Sequence, residues 1–264
     1  DVYKRQRVQG VALTGSEGAG SIVAEQAGKY VKKSTLELGG NDVFIVLDDA
    51  DLQRAIKVGC QARINNAGQV CTAAKRFILH EKIAEQFKQG MIEAFKNLKT
   101  GDPLDESTSL GPLSSASAAE NLHKQVVKAV DAGATLVLGG KPIDGAGNFF
   151  EATILENIEE SNPAWYEEFF GPVSQLYVAK DDDEIVKIAN QSHYGLGGAI
   201  HSKDIERAKK LASRVETGMI WINSLTQTAP ELPFGGVKRS GYGHELSELG
   251  FNEFVQKKLV VIPA

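Results

Sequence analysis

The chain has 264 residues, 42% of them hydrophobic and 24% charged, the balance of a globular protein with a sizeable core. Its 29 basic and 34 acidic residues give a net charge of −5 with the signs interspersed, which speaks against nucleic acid or an anionic membrane as partner, because both require a concentrated positive face. No apolar run approaches the roughly 20 residues that span a bilayer, and two cysteines, Cys60 and Cys71, are too few for a disulfide-stapled secreted scaffold, so a reducing, cytoplasmic setting is expected.

Residues 1–6 are polar and charged, without the apolar core of a signal peptide, and the first methionine is Met91. The chain is expected to begin inside a longer polypeptide. Residues 8–13 read as a short strand and residues 14–20, rich in glycine, as a turn into a helix with Ser16 at its N-cap. Strands follow at 34–38 and 43–47. Residues 51–65 carry helical periodicity that puts Leu52, Ala55, Ile56, Gly59 and Cys60 on one face, with Cys60 expected to be buried. The glycine-bearing stretch 66–70 ends that pattern and leaves Cys71 on a loop. A strand at 76–80 leads to an amphipathic helix at 83–98, with Ile83, Phe87, Met91 and Phe95 at helical spacing. Residues 101–117 form a long loop. Beyond it come a helix near 118–132, strands at 135–138, 149–155 and 173–178, a helix at 182–190, a strand at 197–201, a helix at 203–213 and a strand at 219–222. This alternation predicts an α/β fold with a largely parallel sheet covered by helices. Residues 254–262 read as a lone terminal strand in need of a partner.

Few side chains are placed for chemistry. Cys71 sits on a glycine-containing loop, where backbone amides can approach both the sulfur and an oxyanion formed beside it. The ordinary role of a free cysteine is nevertheless that of a small buried hydrophobe. Glu37, 34 positions earlier, ends a β-rich stretch just before Gly39-Gly40, where desolvation would raise it toward the range of a general base; taken alone, a surface glutamate is the commoner reading. Residues 15–20 could seat a phosphate on a helix N-terminus, though they lack the full Gly-x-Gly-x-x-Gly pattern. None of the five histidines has metal-ligand spacing, so no metal is expected, and a Cys-His hydrolase pairing with His193 or His201 stays open on composition.

Six motifs in one order change that balance. Glu37-Leu38-Gly39-Gly40-Asn41 and Gly68-Gln69-Val70-Cys71 come first, followed by Gly101-Asp102-Pro103 with Thr108 and Gly111-Pro112. Glu167-Glu168-Phe169-Phe170-Gly171-Pro172, then Asn190 with Tyr194-Gly195-Leu196, and Pro233-Phe234-Gly235-Gly236-Val237-Lys238-Arg239-Ser240-Gly241 complete the set. Together they resemble the aldehyde dehydrogenase superfamily over nearly the whole chain. The resemblance implies an α/β fold in which residues 1–38 end a Rossmann-type cofactor domain, 39–245 make a complete catalytic domain, and 246–264 carry an oligomerisation strand. It implies Cys71 as the nucleophile that forms a thiohemiacetal and then a thioester, and Glu37 as the base that activates the hydrolytic water. It also implies NAD or NADP held by Gly15, Ser16, Gly20, Leu38, Glu168 and Phe170. A small aldehyde is the implied partner, and a homodimer or homotetramer the implied state of the full-length protein.

The motif Gly68–Phe77 looks most like that of bacterial succinate-semialdehyde dehydrogenases, whose substrate carries a far carboxylate. Arg63, Thr228 and Phe234 are the candidate substrate contacts. Arg63 lies two positions from where relatives place an arginine, a site that is Asn65 here, and a serine used by some members falls at Ala229, near Thr226 and Thr228. A broad aliphatic aldehyde is the second expectation, and an inactive truncated subunit with an assembly role the third. Retention of Glu37 as a water-activating base disfavours a CoA-acylating relative. The family's upstream asparagine of the oxyanion hole and its adenosine-ribose contacts have no counterpart here, so the chain alone is expected to bind cofactor poorly.

Overall fold

The computed structural model describes residues 7–263. Strand β1 (Gly10–Thr14), helix α1 (Glu17–Lys29) and strand β2 (Lys33–Glu37) form one βαβ unit with β1 and β2 parallel. Ser16 caps α1 as expected, its Oγ accepting the Ala19 amide at 3.3 Å. The chain then runs through Leu38–Asp42 directly into β3 (Val43–Val46), the first strand of a second sheet.

That sheet is the core of the molecule. Helix α2 (Leu52–Ile64), strand β4 (Arg76–His80), helices α3 (Glu81–Lys96) and α4 (Ala116–Asp131), strands β5 (Thr135–Leu138), β6 (Thr153–Glu156) and β7 (Val173–Ala179), and helix α5 (Asp182–Asn190) follow in order. Then come the short strand β8 (Tyr194–Gly195), β9 (Gly198–His201), α6 (Ile205–Ala212), β10 (Trp221–Ile222), β11 (Val237–Lys238), β12 (Gly241–Tyr242) and α7 (Ser247–Glu253). The large sheet has the order β10-β9-β3-β4-β7-β6-β5, parallel except where β5 meets β6. Its central strands are buried on both faces, which is why Val43–Val46 and Arg76–His80 read as continuous rather than alternating apolar runs.

Helix α3 lays Phe87, Met91 and Phe95 onto one face of this sheet, each fully or almost fully buried and worth about 1.5–3 kcal/mol of transfer free energy. Gly59 of α2 lets the Phe44 and Phe77 rings approach, since a β-carbon there would stand 3.0 Å from Phe77. The opposite face packs against α4, α5 and α6 through Leu122, Val126, Ile185 and Leu211.

The expected mixed fold is observed, with corrections at particular elements. The predicted strand 149–155 begins only at Thr153, because residues ahead of it fold back so that Phe150 bridges Pro142. Cys60 is half-buried rather than buried. Residues 254–262 form no strand within the chain: Phe254 caps α7, and Leu259, Val260, Val261 and Ile262 are exposed with no ladder partner among the described residues. Three two-residue strands, β8, β11 and β12, and helix α7 have no counterpart in the periodicity reading. Among the described residues no helix is long and apolar enough to cross a membrane.

Candidate active site

Glu37 is the last residue of β2, pinned between Thr14 of β1 and Gly241 of β12. It is 2% exposed, and neither carboxylate oxygen has a hydrogen-bond partner. Burial first, and the charge of Glu245 second, push its pKa up from 4.5 to about 8. The cover over this carboxylate comes from the loop 233–245, closed by reciprocal backbone bonds between Phe234 and Glu245 at 2.8 and 2.7 Å. Gly241 has φ +119°, and any β-carbon there would run into the Leu36 carbonyl, so glycine is required for β12 to reach β2. Ser240 locks the same junction, its Oγ donating to the Gly39 carbonyl at 2.7 Å and accepting the Gly195 amide at 3.0 Å.

Two and three residues on from Glu37, two side-chain-free positions bring the remaining parts together. A β-carbon on Gly39 would overlap Glu168 Oε2, and one on Gly40 would stand 2.5 Å from the Cys71 carbonyl oxygen. Glu168 Oε1 accepts the Gly40 amide at 3.2 Å and pairs with Lys75 Nζ at 3.0 Å. Lys75, fully buried, also donates to the carbonyls of Val70 at 2.9 Å and Cys71 at 2.6 Å. Cys71 is partly exposed at the end of this loop. Burial raises its thiol, Lys75 and the Thr72 amide pull it down, and Asp42 and Glu168 push it up. Cys60, remote from these charges, is raised to about 11 by burial.

The loop ahead of Cys71 is strained. Asn66 and Ala67 have φ of 51° and 53°, followed by Gly68 at 76°, a left-handed run that an alanine rarely enters. Arg63 holds it. The side chain expected to meet substrate is instead wholly buried, donating from Nη2 to the Gly68 carbonyl at 2.6 Å and from Nη1 to that of Val173 at 3.4 Å. Its guanidinium is spent on the backbone beneath the loop, which speaks against Arg63 as the expected substrate contact. Gln69 adds a second brace, donating to Asn66 and Pro112 and accepting the Ser114 amide.

The other sequence-predicted residues fall into two groups. Gly15 and Ser16 lie exposed at the start of α1, and Gly20 is buried where its missing β-carbon lets α1 settle on Leu38, whose methyls would be 2.6 Å away. Phe170 is 47% exposed beside Glu168, Phe234 is half-buried over Glu37's cover, and Thr228 is exposed. Lys75, Asp42 and Glu245 were not singled out from the sequence. Lys75-Arg76 at the mouth of an apolar strand was the available signal, because two cations entering a buried strand need buried partners. Asp42 is fully enclosed with Oδ1 accepting the Gly197 amide and Oδ2 unpartnered, and burial raises it to about 7.

The family described as "Aldehyde dehydrogenase family" matches residues 1–260. A succinate-semialdehyde dehydrogenase (NADP+) of Deinococcus radiodurans is 50% identical over 259 residues, 98% of this chain and 54% of the relative. A succinate semialdehyde dehydrogenase (NAD(P)+) of Escherichia coli is 45% identical over 96% of this chain and 55% of its own length. The crystal structure of succinic semialdehyde dehydrogenase from Streptococcus pyogenes in complex with NADP+ superposes with a TM-score of 0.98 at 51% identity, covering 100% of this chain and 58% of that one. The chain spans about half the length of the curated relatives it matches.

Proposed function

The chain belongs to the aldehyde dehydrogenase family, and from that premise we propose that it carries the thiol and the base of an NAD(P)-linked oxidation of an aldehyde, succinate semialdehyde first among candidates, to the carboxylic acid. The observation that carries this reading is the crossing at Gly39-Gly40, where a dry carboxylate, a nucleophile loop and a ribose-side carboxylate meet within a few residues of chain. On the same reading residues 1–38 end the cofactor domain, 39–245 are the catalytic domain and 246–264 an assembly segment. The whole enzyme is a cytoplasmic homo-oligomer; two free cysteines and the exposed Leu259–Ile262 side chains support these last points.

The residues present fit part of a dinucleotide. The first turn of α1 presents exposed backbone at Gly15, Ser16, Gly18 and Ala19, with the partial positive charge of a 13-residue helix behind it. Glu168, held by Gly40 and Lys75, supplies a fixed acceptor for a ribose hydroxyl. When bound, the dinucleotide supplies the hydride acceptor. The chain's own residues do the rest. Cys71 attacks the aldehyde carbon as a thiolate, and its backbone amide faces the resulting oxyanion. After oxidation the substrate remains as a thioester on Cys71. Glu37, as the carboxylate, takes a proton from water as that water attacks the thioester carbon. Its pKa of about 8 matches proton transfer near neutral pH better than an ordinary carboxylate would.

Rapid mixing of the enzyme with aldehyde and cofactor tests the assignment. Glu37→Gln should keep the first burst of reduced cofactor and lose steady turnover, while Cys71→Ser should lose both. A full burst from Cys71→Ser sinks the proposal. One observation favours a second reading: burial of Arg63 removes the expected grip on a substrate carboxylate, which suits a broad aliphatic aldehyde. Equal kcat/KM for succinate semialdehyde and an uncharged aldehyde of similar length would select it.

A further inference from the structure

Behind Cys71 lies a buried cation, Lys75, to which the reaction outlined above gives no chemical step. Lys75 comes from the residue before β4, and all three of its ammonium protons are committed: two to the carbonyls of Val70 and Cys71 and one to Glu168. Glu168 arrives from a different part of the chain, ahead of β7. The two sides of the site therefore meet on one nitrogen. We propose that Lys75 is a positioning residue that sets the nucleophile loop and the ribose-side carboxylate against each other, so that the thiol and the cofactor are registered by one buried cation. This rests on reading Cys71 as the nucleophile and Glu168 as the cofactor contact.

Two physical points support it. First, a fully buried ammonium is costly unless paired, and Lys75 has a carboxylate at 3.0 Å and two carbonyls at 2.6–2.9 Å, which leaves it no freedom to relax elsewhere. Second, the charged groups that act on Cys71 are this same set. Lys75 favours the thiolate, while Asp42, from the start of β3, and Glu168 oppose it. Arg63 of α2 acts on Asp42 and Lys75 rather than directly on the sulfur. Lys75 is thus the one member of the cluster that both braces the Cys71 backbone and stabilises its charged form.

The test is the pH profile of Cys71 alkylation by iodoacetamide, followed by mass spectrometry of the Cys71 peptide, with Cys60 in the same molecule as the internal fold control. Lys75→Met should move the Cys71 midpoint up by about one pH unit, so that alkylation below it slows about tenfold, with Cys60 unchanged. Removing the stranded carboxylate as well, in Lys75→Met/Glu168→Gln, should lower the midpoint only part of the way toward that of the parent chain, because Lys75 acts on Cys71 more strongly than Glu168 does. The double variant leaves no unpaired charge at position 168 and keeps the test available if Lys75→Met fails to fold; there the proposal requires a midpoint still above that of the parent. An unmoved midpoint in Lys75→Met, a double variant with the parent's midpoint, or an equal change at Cys60 overturns the proposal while leaving Cys71 as the nucleophile. A Cys71 no more reactive than Cys60 at any pH in the parent chain overturns the nucleophile reading, and this inference with it.

Discussion

Replacing Glu37 by glutamine should stabilise the protein in alkali and leave it unchanged in mild acid. The parent carboxyl has an ordinary pKa of 4.5 in the unfolded chain and about 8 when folded. Below 4.5 both states hold the proton, and Glu37 contributes nothing to pH dependence. Between 4.5 and about 8 only the folded state holds it, so stability falls as pH rises; above 8 the full cost of a buried, unpartnered carboxylate is reached. At about 1.36 kcal/mol per pH unit that interval amounts to about 4–5 kcal/mol. Water entry or a shift of Glu245 would relieve part of it, and half the amount, about 2 kcal/mol, still corresponds to about 4–8 °C in Tm for a chain near this size. Glutamine is neutral throughout and nearly isosteric. Urea and thermal unfolding of the two proteins at pH 4.5, 7 and 9 should therefore show curves that nearly coincide at the lowest pH and diverge above it, glutamine the more stable. A gap that is the same at all three pH values, or a glutamine variant less stable at pH 9, refutes the account of Glu37 as a desolvated base.

Gly40→Ala should cost about 1–3 kcal/mol and slow Cys71 alkylation, because its β-carbon meets the Cys71 carbonyl at 2.5 Å and Asp42 Oδ1 at 2.9 Å; Gly28→Ala, in open space on α1, should instead gain about 0.5–1 kcal/mol, and denaturant midpoints compare the two. Arg63→Met should lower stability by about 3 kcal/mol in urea, since it frees the Gly68 carbonyl and leaves the Asp42 and Glu168 side with one cation fewer. Any activity that survives in Arg63→Lys should keep the parent's kcat/KM ratio between charged and uncharged aldehydes, and a selective loss for the charged one would restore Arg63 as a substrate contact.

What the sequence made legible follows from what is local. The strand–helix–strand start, the Ser16 cap and the helices α2, α3 and α5 rest on periodicity and capping that act within a few residues, and each is found within a residue or two of its expected place. The two-residue strands β8, β11 and β12 rest on pairings such as Gly241 with Glu37, fixed by a positive φ and a distant partner, and no window of hydrophobicity registers them. The same limit explains Arg63 and Lys75. Eight residues before a cysteine, an arginine reads equally well as surface or core, and only the fold reveals that two carbonyls and a carboxylate cluster are waiting for these cations.

The position of the site in the two sheets explains why glycines, rather than reactive side chains, dominate its sequence. In parallel α/β sheets ligands gather at the carboxyl ends of strands, and the proposed cofactor residues on the βαβ side lie at such ends: Gly15 follows β1 and Leu38 follows β2. The large sheet contributes from its opposite edge. Asp42 precedes β3, Lys75 precedes β4, Gly171 precedes β7 and Gly197 precedes β9, all at amino ends. The chain joins the carboxyl end of one sheet to the amino end of the other across Leu38–Asp42, so two sets of loops must pass through one narrow crossing. Side chains at Gly39 or Gly40 would collide with Glu168 or the Cys71 carbonyl across that crossing, and at Gly68 or Gly197 with the Gly171 carbonyl or Asp42 among the large sheet's own loops. A charged cluster at such a crossing cannot be solvated, and it must therefore be satisfied internally: Lys75 pairs with Glu168, Arg63 donates to backbone carbonyls and Asp42 accepts the Gly197 amide. Glu37, beside that crossing, has no cation to favour its carboxylate, so burial raises it to about 8 and it holds its proton more tightly than an ordinary carboxyl.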